Sequence, residues 1–356
     1  MMRRLSRHIG STVFSSVLVA LSIIVGLDVV AEIIDQTRAI QRDYYFLDAL
    51  IYVFTKLPST VYEYIPLSSL IGCLYGLGLL AGNSEVTVMR ASGVSLVRIV
   101  YFVMKPVLVF IILSAAIGEY FSPYLDQRAE GTREYLRKGT SIQDSAAGLW
   151  IREEREFMHF NAVFPGGVLY GVTRYQFDDA QNLRQASFSS RATYNASEQF
   201  WVEENISITR FDDNKTVTEK QITRHWDSGL SPQILTVNIL PAASLPIRIL
   251  DSHIDFLRQQ KADTAIYELA YWRKVLQPLV VLGLVLIAIS FVFGPLRDAT
   301  MGFRIFTGVL VGIGFKILQD LLGPFSIVFG FPVVFAVIAP IVLCLLVGLY
   351  LLRRSG

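Results

Sequence analysis

LLAGNSEVTVMRASGVS, residues 79–95, is a short polar segment between two long apolar stretches of the chain. An oxygen of the Asn83 or Ser84 side chain can cap the start of a helix here, because it accepts a backbone N–H that has no partner within the helix. Gly93 is placed to end that helix in the left-handed conformation that glycine adopts without strain. The segment therefore predicts a short capped helix over residues 84–92.

The composition of the chain indicates a membrane protein. Of its 356 residues, 53% are hydrophobic and 17% are charged, whereas an average soluble domain carries about 25% charged residues. The formal net charge is only +2, which argues against bulk binding to nucleic acid. Cys73 and Cys344 lie within apolar runs, so we expect small buried side chains rather than a disulfide or a metal pair.

Six segments are long and apolar enough to cross a bilayer as helices, which takes roughly 20 residues each. They cover residues 9–34, 50–82, 96–121, 270–295, 303–323 and 328–352. The first follows a basic N-terminus and has full spanning length, so we expect it to be retained rather than cleaved as a signal peptide. Between the last two, Pro324 and Gly330 predict a tight turn near residues 324–327.

The arginines that flank the six spans predict the orientation of the chain. In a six-span arrangement one side of the membrane holds Arg3, Arg4, Arg7, Arg90, Arg98, Arg297, Arg304, Arg353 and Arg354. Short cytoplasmic loops carry an excess of Lys and Arg, so this side is expected to be cytoplasmic. Both termini and the 84–92 helix then lie in the cytoplasm, and the segment between the third and fourth spans lies outside.

That outer segment is a polar insertion with a β pattern. Residues 121–264 hold 35 of the 62 Asp, Glu, Lys and Arg residues of the chain. Short runs rich in Val, Ile, Thr and aromatics alternate there with turn residues: LWIRE, EFMHFNAV, LYGVTRYQF, ASFSSRATY, FWVEENISITRF and TVTEKQITRHW. Their spacing suits a sandwich or an open barrel. The expected fold is a six-span α-helical membrane protein with an all-β outer domain, divided as residues 1–121, 122–264 and 265–356.

The 84–92 helix allows two interpretations. Val86 and Met89 share one face, and Glu85 and Arg90 add charges. A helix that only returns the chain to the membrane explains this pattern. A docking helix for a cytoplasmic partner, with Glu85 as its charged contact, explains it as well. The pattern alone favours the first interpretation.

Three segments resemble one known family. LLAGNSEVTVMRASGVS is similar to the cytoplasmic coupling helix of the lipopolysaccharide-export permeases, the LptF/LptG family. IGEYFSPYLDQ at 117–127 and FVFGPLRDATMGFRIFTGVLVGIGF at 291–315 resemble the LptG members in particular. The resemblance extends over the whole chain, in the order of three spans, an outer β-domain and three spans. It implies that the β-domain is jelly-roll-like and periplasmic.

The resemblance implies partners and a division of labour. The family works as an LptF–LptG heterodimer on a dimer of the cytoplasmic ATPase LptB, with LptC alongside, and moves lipopolysaccharide from the inner membrane to a periplasmic LptA bridge. It implies that helix 84–92 docks on LptB, with Glu85 at the acidic coupling position and with Val86, Met89 and Arg90 beside it.

One observation is independent of the resemblance. The chain contains no Gly-Lys dipeptide and therefore no G-x-x-x-x-G-K-[ST] phosphate loop. We therefore expect a transport subunit without a cofactor of its own, and ATP bound and hydrolysed by a partner chain.

A lipid with a phosphorylated sugar head requires cations next to an apolar cavity. The candidates at the outer ends of spans one and three are Arg38, Arg42, Arg128, Arg133, Arg137 and Lys138. By resemblance, Arg38 and Arg133 match basic positions that line the lipid A entrance. Each cation could instead be solvated or paired with an acid such as Asp35 or Glu134.

Lys316 lies near the middle of the fifth span, with Asp320 one turn outward. Charges within spans are rare and usually functional. Lys316 either pairs with Asp320 inside the bundle or faces the central cavity and contacts a lipid phosphate. Glu32 departs from the family, whose members often carry a basic residue there, and it is expected to pair with Arg38 or with a cation of a partner subunit.

Three other functions are less consistent with the residues. A membrane enzyme needs a nucleophile or metal set at membrane depth, but the four histidines are scattered and no H-E-x-x-H motif occurs. A secondary transporter usually shows related halves and broken helices, and the two three-span halves do not match in sequence. A scaffold without an ATPase partner is the remaining alternative.

Overall fold

The chain combines long apolar helices with one antiparallel sheet. The computed structural model describes residues 2–38, 40, 43–138, 149–153, 155–164, 166–212, 215–232, 235, 241–259, 263–294 and 299–355. In these ranges the helices are α1 (Met2–Arg38), α2 (Phe46–Gly82), α3 (Glu85–Ala91), α4 (Leu96–Ala116), α5 (Ser122–Lys138), α6 (Ile247–Gln259), α7 (Ala265–Phe293), α8 (Met301–Phe329) and α9 (Val333–Ser355). A π-helical turn, Ile117–Phe121, joins α4 to α5.

Among the described residues, six helical segments are long and apolar enough to span a membrane, as the sequence predicts. They are α1, α2, the continuous run from α4 into α5, α7, α8 and α9. The predicted turn near residues 324–327 is wrong, since α8 continues through Pro324 and stops before Gly330, whose φ is 70°. Membrane helices tolerate proline because neighbouring groups satisfy the carbonyl that it frees.

The membrane unit contains Met1–Val30, Leu57–Phe121 and Pro246–Gly356. Its helices approach each other closely at small residues, as is usual where lipid removes the hydrophobic drive for association. A Cβ atom on Gly72 of α2 would lie 2.4 Å from the Val17 Cα of α1. Between α7 and α9, the Ser290 hydroxyl donates to the Gly348 carbonyl over 2.6 Å.

The second unit contains Ala31–Lys56 and Ser122–Leu245. Its strands match the predicted runs and are β1 (Leu149–Glu153), β2 (Glu156–Phe164), β3 (Val168–Phe177), β4 (Leu183–Asn195), β5 (Phe200–Asp212) and β6 (Lys215–Trp226). The β-domain is confirmed. Within the described ranges its six strands pair antiparallel in the consecutive order β1 to β6.

The sheet has an aromatic core and a buried charge network. Trp201 and Phe160 are completely buried, as expected for large aromatics on a half-covered sheet. The Glu203 carboxylate is also buried and accepts hydrogen bonds from Arg174 (3.1 Å) and Arg224 (3.0 Å). The two arginines therefore compensate the buried negative charge of Glu203.

Candidate functional site

Helix α3 is the short helix expected between the second and third spans. It covers Glu85–Ala91, and Gly93 follows with a φ of 86°. The Gly93 N–H donates to the Arg90 carbonyl (3.0 Å), and the Val94 N–H donates to the Met89 carbonyl (3.1 Å). These two bonds form a Schellman motif, so the predicted role of Gly93 is confirmed.

The start of α3 differs from the prediction. Ser84 occupies the N-cap position with φ 59° and ψ 8°, and its side chain makes no capping hydrogen bond. Capping side chains usually sit on backbone in the β region, and this left-handed residue does not. The predicted side-chain cap at Ser84 is therefore wrong.

The two faces of α3 have different surroundings. Val86 and Met89 are buried in the hydrophobic core of the membrane unit. Val88 and Arg90 lie on the exposed surface. The apolar pair therefore anchors the helix to its own chain. The coupling role of Val86 and Met89 stays a prediction, and in that role the two side chains would act by anchoring the helix.

Glu85 contacts α1. Its Oε2 lies 2.8 Å from Nε2 of His8, and both side chains are partly exposed. The pair therefore links the first turn of α3 to the beginning of the chain, 77 residues earlier. Within the described ranges, this pair leaves the other carboxylate oxygen of Glu85 for a further donor.

Two spans bury little of their surface within the chain. Only 11% of the apolar window of α1 and 17% of that of α8 is buried, against 61% in both α2 and α7. The large exposed apolar side chains include Leu18, Ile23, Leu27, Leu310, Ile313, Ile317 and Phe325. Open faces of this extent on membrane helices are surfaces for lipid, substrate or a second subunit.

Consecutive residues of α2 hold these two open spans by polar contacts. Glu63 forms an ion pair with Lys316 of α8. Tyr64 donates its hydroxyl to Asp28 of α1 over 2.7 Å. Lys316 also lies 5.4 Å from the centre of the Tyr64 ring. The candidate substrate cation Lys316 is thus partly exposed and is paired with an acid from α2.

Asp320 has a different partner from the one considered in the sequence. Its Oδ1 lies 3.5 Å from Nη1 of Arg273 on α7, and Arg273 also donates to the Gln319 carbonyl over 2.6 Å. The structure therefore replaces the considered Lys316–Asp320 pair by two interhelical pairs. Both pairs join α8 to the better-packed spans.

A basic cluster lies in the second unit, on α2 and α5. Lys56 Nζ lies 3.2 Å from Glu130 Oε1, and Arg133 Nη1 lies 3.5 Å from Glu130 Oε2. Tyr52 donates its hydroxyl to Glu130 over 2.6 Å, and the Arg133 guanidinium lies 5.2 Å from the Tyr52 ring centre. Two cations thus share one carboxylate, which leaves the group of three with a net positive charge.

Arg133 and Arg137 retain unused donors. The Nε atoms of both are buried, and neither has a hydrogen-bond partner within the described ranges. Burial raises the pKa of the nearby Tyr44 phenol, and the positive charges of Arg133 and Arg137 oppose that increase. Arg133 and Arg137, two of the predicted lipid-contacting arginines, therefore lie in one cluster, and an anion would satisfy their donors.

The other predicted cations are exposed or lie outside the described residues. Arg38 is exposed, with its guanidinium 3.7 Å from Asp35. Glu32 accepts a hydrogen bond from Gln36 over 2.8 Å instead of pairing with Arg38. Arg128 is exposed. Arg42 lies outside the described residues, as do Arg297 and the Lys138 side chain.

Sequence reasoning missed Lys56, Glu63 and His8. The first two are charges within the second predicted span, and charge at membrane depth is itself a signal of function. His8 gave no comparable signal, because its contact with Glu85 joins residues far apart in the sequence. Among the described residues, no group of three or more His, Cys, Asp or Glu side chains could hold a metal ion.

Six apolar helices, two of them with open faces, a short anchored helix between spans and a β-domain define a multi-pass membrane protein. The model of the family "Lipopolysaccharide export system permease LptF/LptG" matches residues 7–354. The chain belongs to this family, and it is a multi-pass inner-membrane protein.

Individual relatives agree with the family match. The chain is 32% identical to the lipopolysaccharide export system permease protein LptG of Escherichia coli (strain K12), over 99% of this chain and 98% of that protein. It is 31% identical to the protein of the same name from Haemophilus influenzae, over 100% of this chain and 99% of the relative. The predicted resemblance to the LptG members is confirmed.

Proposed function

We propose that the chain is the permease subunit of an ATP-driven exporter that extracts lipopolysaccharide from the inner membrane and passes it to a periplasmic bridge. In this assembly the chain pairs with LptF, LptC lies alongside, an LptB dimer binds and hydrolyses ATP, and LptA receives the lipid. The observation that carries the proposal is the family match over residues 7–354.

The open faces of α1 and α8 supply the apolar surface that the proposal needs. A transported lipid must contact membrane helices without competing for an already packed core, and these two spans are the least buried of the six. The same faces provide area for the second permease subunit. One cavity between two permeases would then have walls from both chains.

The cations supply the polar part of the substrate site. In the proposal, Arg133 and Arg137 bind phosphate through their unused donors, and Lys56 adds positive charge beside them. Lys316 releases Glu63 and contacts a second anionic group, which belongs to the substrate. Arg38 and Arg42 remain predicted contributors.

Helix α3 supplies the surface for coupling. Its anchored face transmits displacement to the core of the membrane unit, because Val86 and Met89 are packed within that core. Its outer side presents Arg90, Val88 and the free oxygen of Glu85 to LptB. The proposal assigns Glu85 as the main charged contact and His8 as the residue that holds it.

The proposal includes an orientation. Both termini and α3 lie in the cytoplasm, and the β-domain lies in the periplasm, in agreement with the arginine distribution. The corresponding division of the chain is residues 1–121, 122–264 and 265–356. The absence of a phosphate loop from the sequence supports a partner ATPase.

The test is a detergent pull-down of the tagged chain from its native membrane, with ATPase activity measured on the eluate. Wild type is compared with Glu85→Arg and with Glu198→Arg, a matched charge reversal in an exposed turn of the β-domain. We expect ATPase activity with wild type and Glu198→Arg and its loss with Glu85→Arg. A wild-type chain that purifies alone at normal levels would favour a secondary transporter or a scaffold instead.

A further inference from the structure

The membrane unit contains a cavity of about 380 Å³ that the transport proposal does not use. Its walls come from α2, α4, the π-helical turn, α6 and α7, through residues that include Tyr62, Ile111, Pro278 and Val281. Ligand pockets commonly enclose about 300–1,000 Å³. The volume is therefore large enough for part of a lipid, on helices other than the open α1 and α8.

The cavity has a few polar groups on an apolar lining. Lys274 donates to the Gly118 carbonyl over 3.2 Å. Glu119 accepts from the Ile247 N–H over 2.8 Å, and both side chains line the cavity. One positive and one negative side chain leave the described part of the lining without a net charge. This balance favours an uncharged part of a ligand over a free carboxylate or phosphate.

Ser114 provides the observation that points to a ligand. It lines the cavity and is 3% exposed, and its Oγ has no hydrogen-bond partner in the part of the chain that the structure describes. A serine within a helix can bond a carbonyl of its own preceding turn. A buried hydroxyl without a partner is destabilising, and an acceptor on a bound molecule would remove that cost.

The backbone next to Ser114 is also irregular. The π-helical turn Ile117–Phe121 widens the helix directly after α4, and its Gly118 lies against the Tyr62 ring, where a Cβ would approach within 2.4 Å. Single π-turns in otherwise α-helical segments frequently occur at functional sites. Here the turn forms one wall of the cavity.

We propose that this cavity binds one ester-linked acyl chain of a membrane phospholipid. The chain supplies the apolar body that the walls require, and its ester carbonyl supplies an acceptor for Ser114. The neutral balance of Lys274 and Glu119 fits an ester and not a free fatty acid. The bound lipid acts as a fixed component between α2, α4 and α7, independent of the exported substrate.

The test uses the full-length chain in lipid nanodiscs that contain either a phospholipid or a free fatty acid with a photoreactive group on the acyl chain. After illumination, labelled peptides are identified by mass spectrometry. We expect the phospholipid to label residues 111–120 and 274–281 preferentially. Ala115→Phe places a large side chain at an exposed cavity position and should lower that labelling about tenfold.

Leu113→Phe is the matched control. Leu113 is exposed on the same helix, and it is not one of the described residues that line the cavity. It should leave the labelling unchanged. Ser114→Ala should reduce labelling by the phospholipid less than Ala115→Phe does. Labelling that is equal for both Phe variants, or that occurs only with the free fatty acid, would overturn the proposal.

Discussion

Helices α1 and α7 are almost equally apolar, yet 11% of the apolar window of α1 is buried and 61% of that of α7. The same contrast separates α8 from α2, with 17% and 61% buried. Apolarity thus identifies which segments enter a membrane and does not identify which of them pack together. Packing follows from small residues and polar contacts, as in the Ser290 bond to Gly348.

Helix α8 has one tightly packed face and one open face. Its Gly308 and Gly312 lie so close to α2 that an added Cβ would approach Leu74 and Leu67 within 2.4 and 2.1 Å, respectively. The opposite side carries exposed Leu310, among other large apolar residues. A narrow glycine face therefore joins α8 to its own chain, and a broad apolar face is left for substrate or a partner.

The largest expected effect comes from removing packed volume. Leu74→Ala opens a cavity at a completely buried position and should destabilise the purified chain by about 2–5 kcal/mol. Leu310→Ala removes the same atoms from an exposed position and should change stability by less than about 0.5 kcal/mol. Melting of both variants in detergent measures the difference. Equal shifts would contradict the contrast between α2 and α8.

The second effect concerns the ion pair between Glu63 of α2 and Lys316 of α8. Lys316→Ala should lower lipopolysaccharide export about tenfold, because one charge-assisted contact contributes about 1.5–3 kcal/mol. Glu63→Ala frees the same lysine and should not lower export. Melting of both variants in detergent shows whether either change also destabilises the chain. Equal export defects in both variants would show that the ion pair is only structural.

The third effect is smaller and concerns α3. His8→Ala removes the contact that holds Glu85 and should lower co-purified ATPase activity by less than about fivefold, the range of a partly exposed pair. His8→Gln retains a donor and should restore most of the activity. A His8→Ala variant as defective as Glu85→Arg would indicate that His8 contacts the ATPase itself.

The smallest expected effect is a change in the pH dependence of stability, and it concerns a residue outside the spans. Burial lowers the pKa of His253 on α6 below its ordinary value of about 6.5. The folded chain then binds this proton less readily than the unfolded chain, so the stabilisation is present above about pH 6.5 and is lost as pH falls through the lowered pKa. His253→Phe should reduce the loss of melting temperature between about pH 7.5 and 5.5. An unchanged pH dependence would remove His253 as its source.

Local patterns predict most of the fold. The six strands match because alternating Val, Ile, Thr and aromatic runs are separated by turn residues such as those at 178–182. The spans match because length and apolarity suffice to recognise them. The turn misplaced to 324–327 shows the limit, since Pro324 continues a membrane helix where it would usually end a soluble one.

The candidate site is less predictable because its contacts join distant parts of the chain. Glu63 and Lys316 are 253 residues apart, and no periodicity connects them. Arg133 and Arg137 could be grouped from their helical spacing, whereas Lys56 and Glu130 required the fold. Glu85 was predicted from helix capping and charge, but its partner His8 was not.

The most direct test of the account is site-specific photocrosslinking to lipopolysaccharide in the native membrane. A photoreactive residue is placed at Leu27 of α1, at Ile317 of α8 and at Ile112 of α4, all of them exposed within the chain. We expect ATP-dependent crosslinks at Leu27 and Ile317 and background labelling at Ile112. Labelling at Ile112 that equals or exceeds labelling at the other two positions would contradict the assignment of α1 and α8 as the substrate-facing spans.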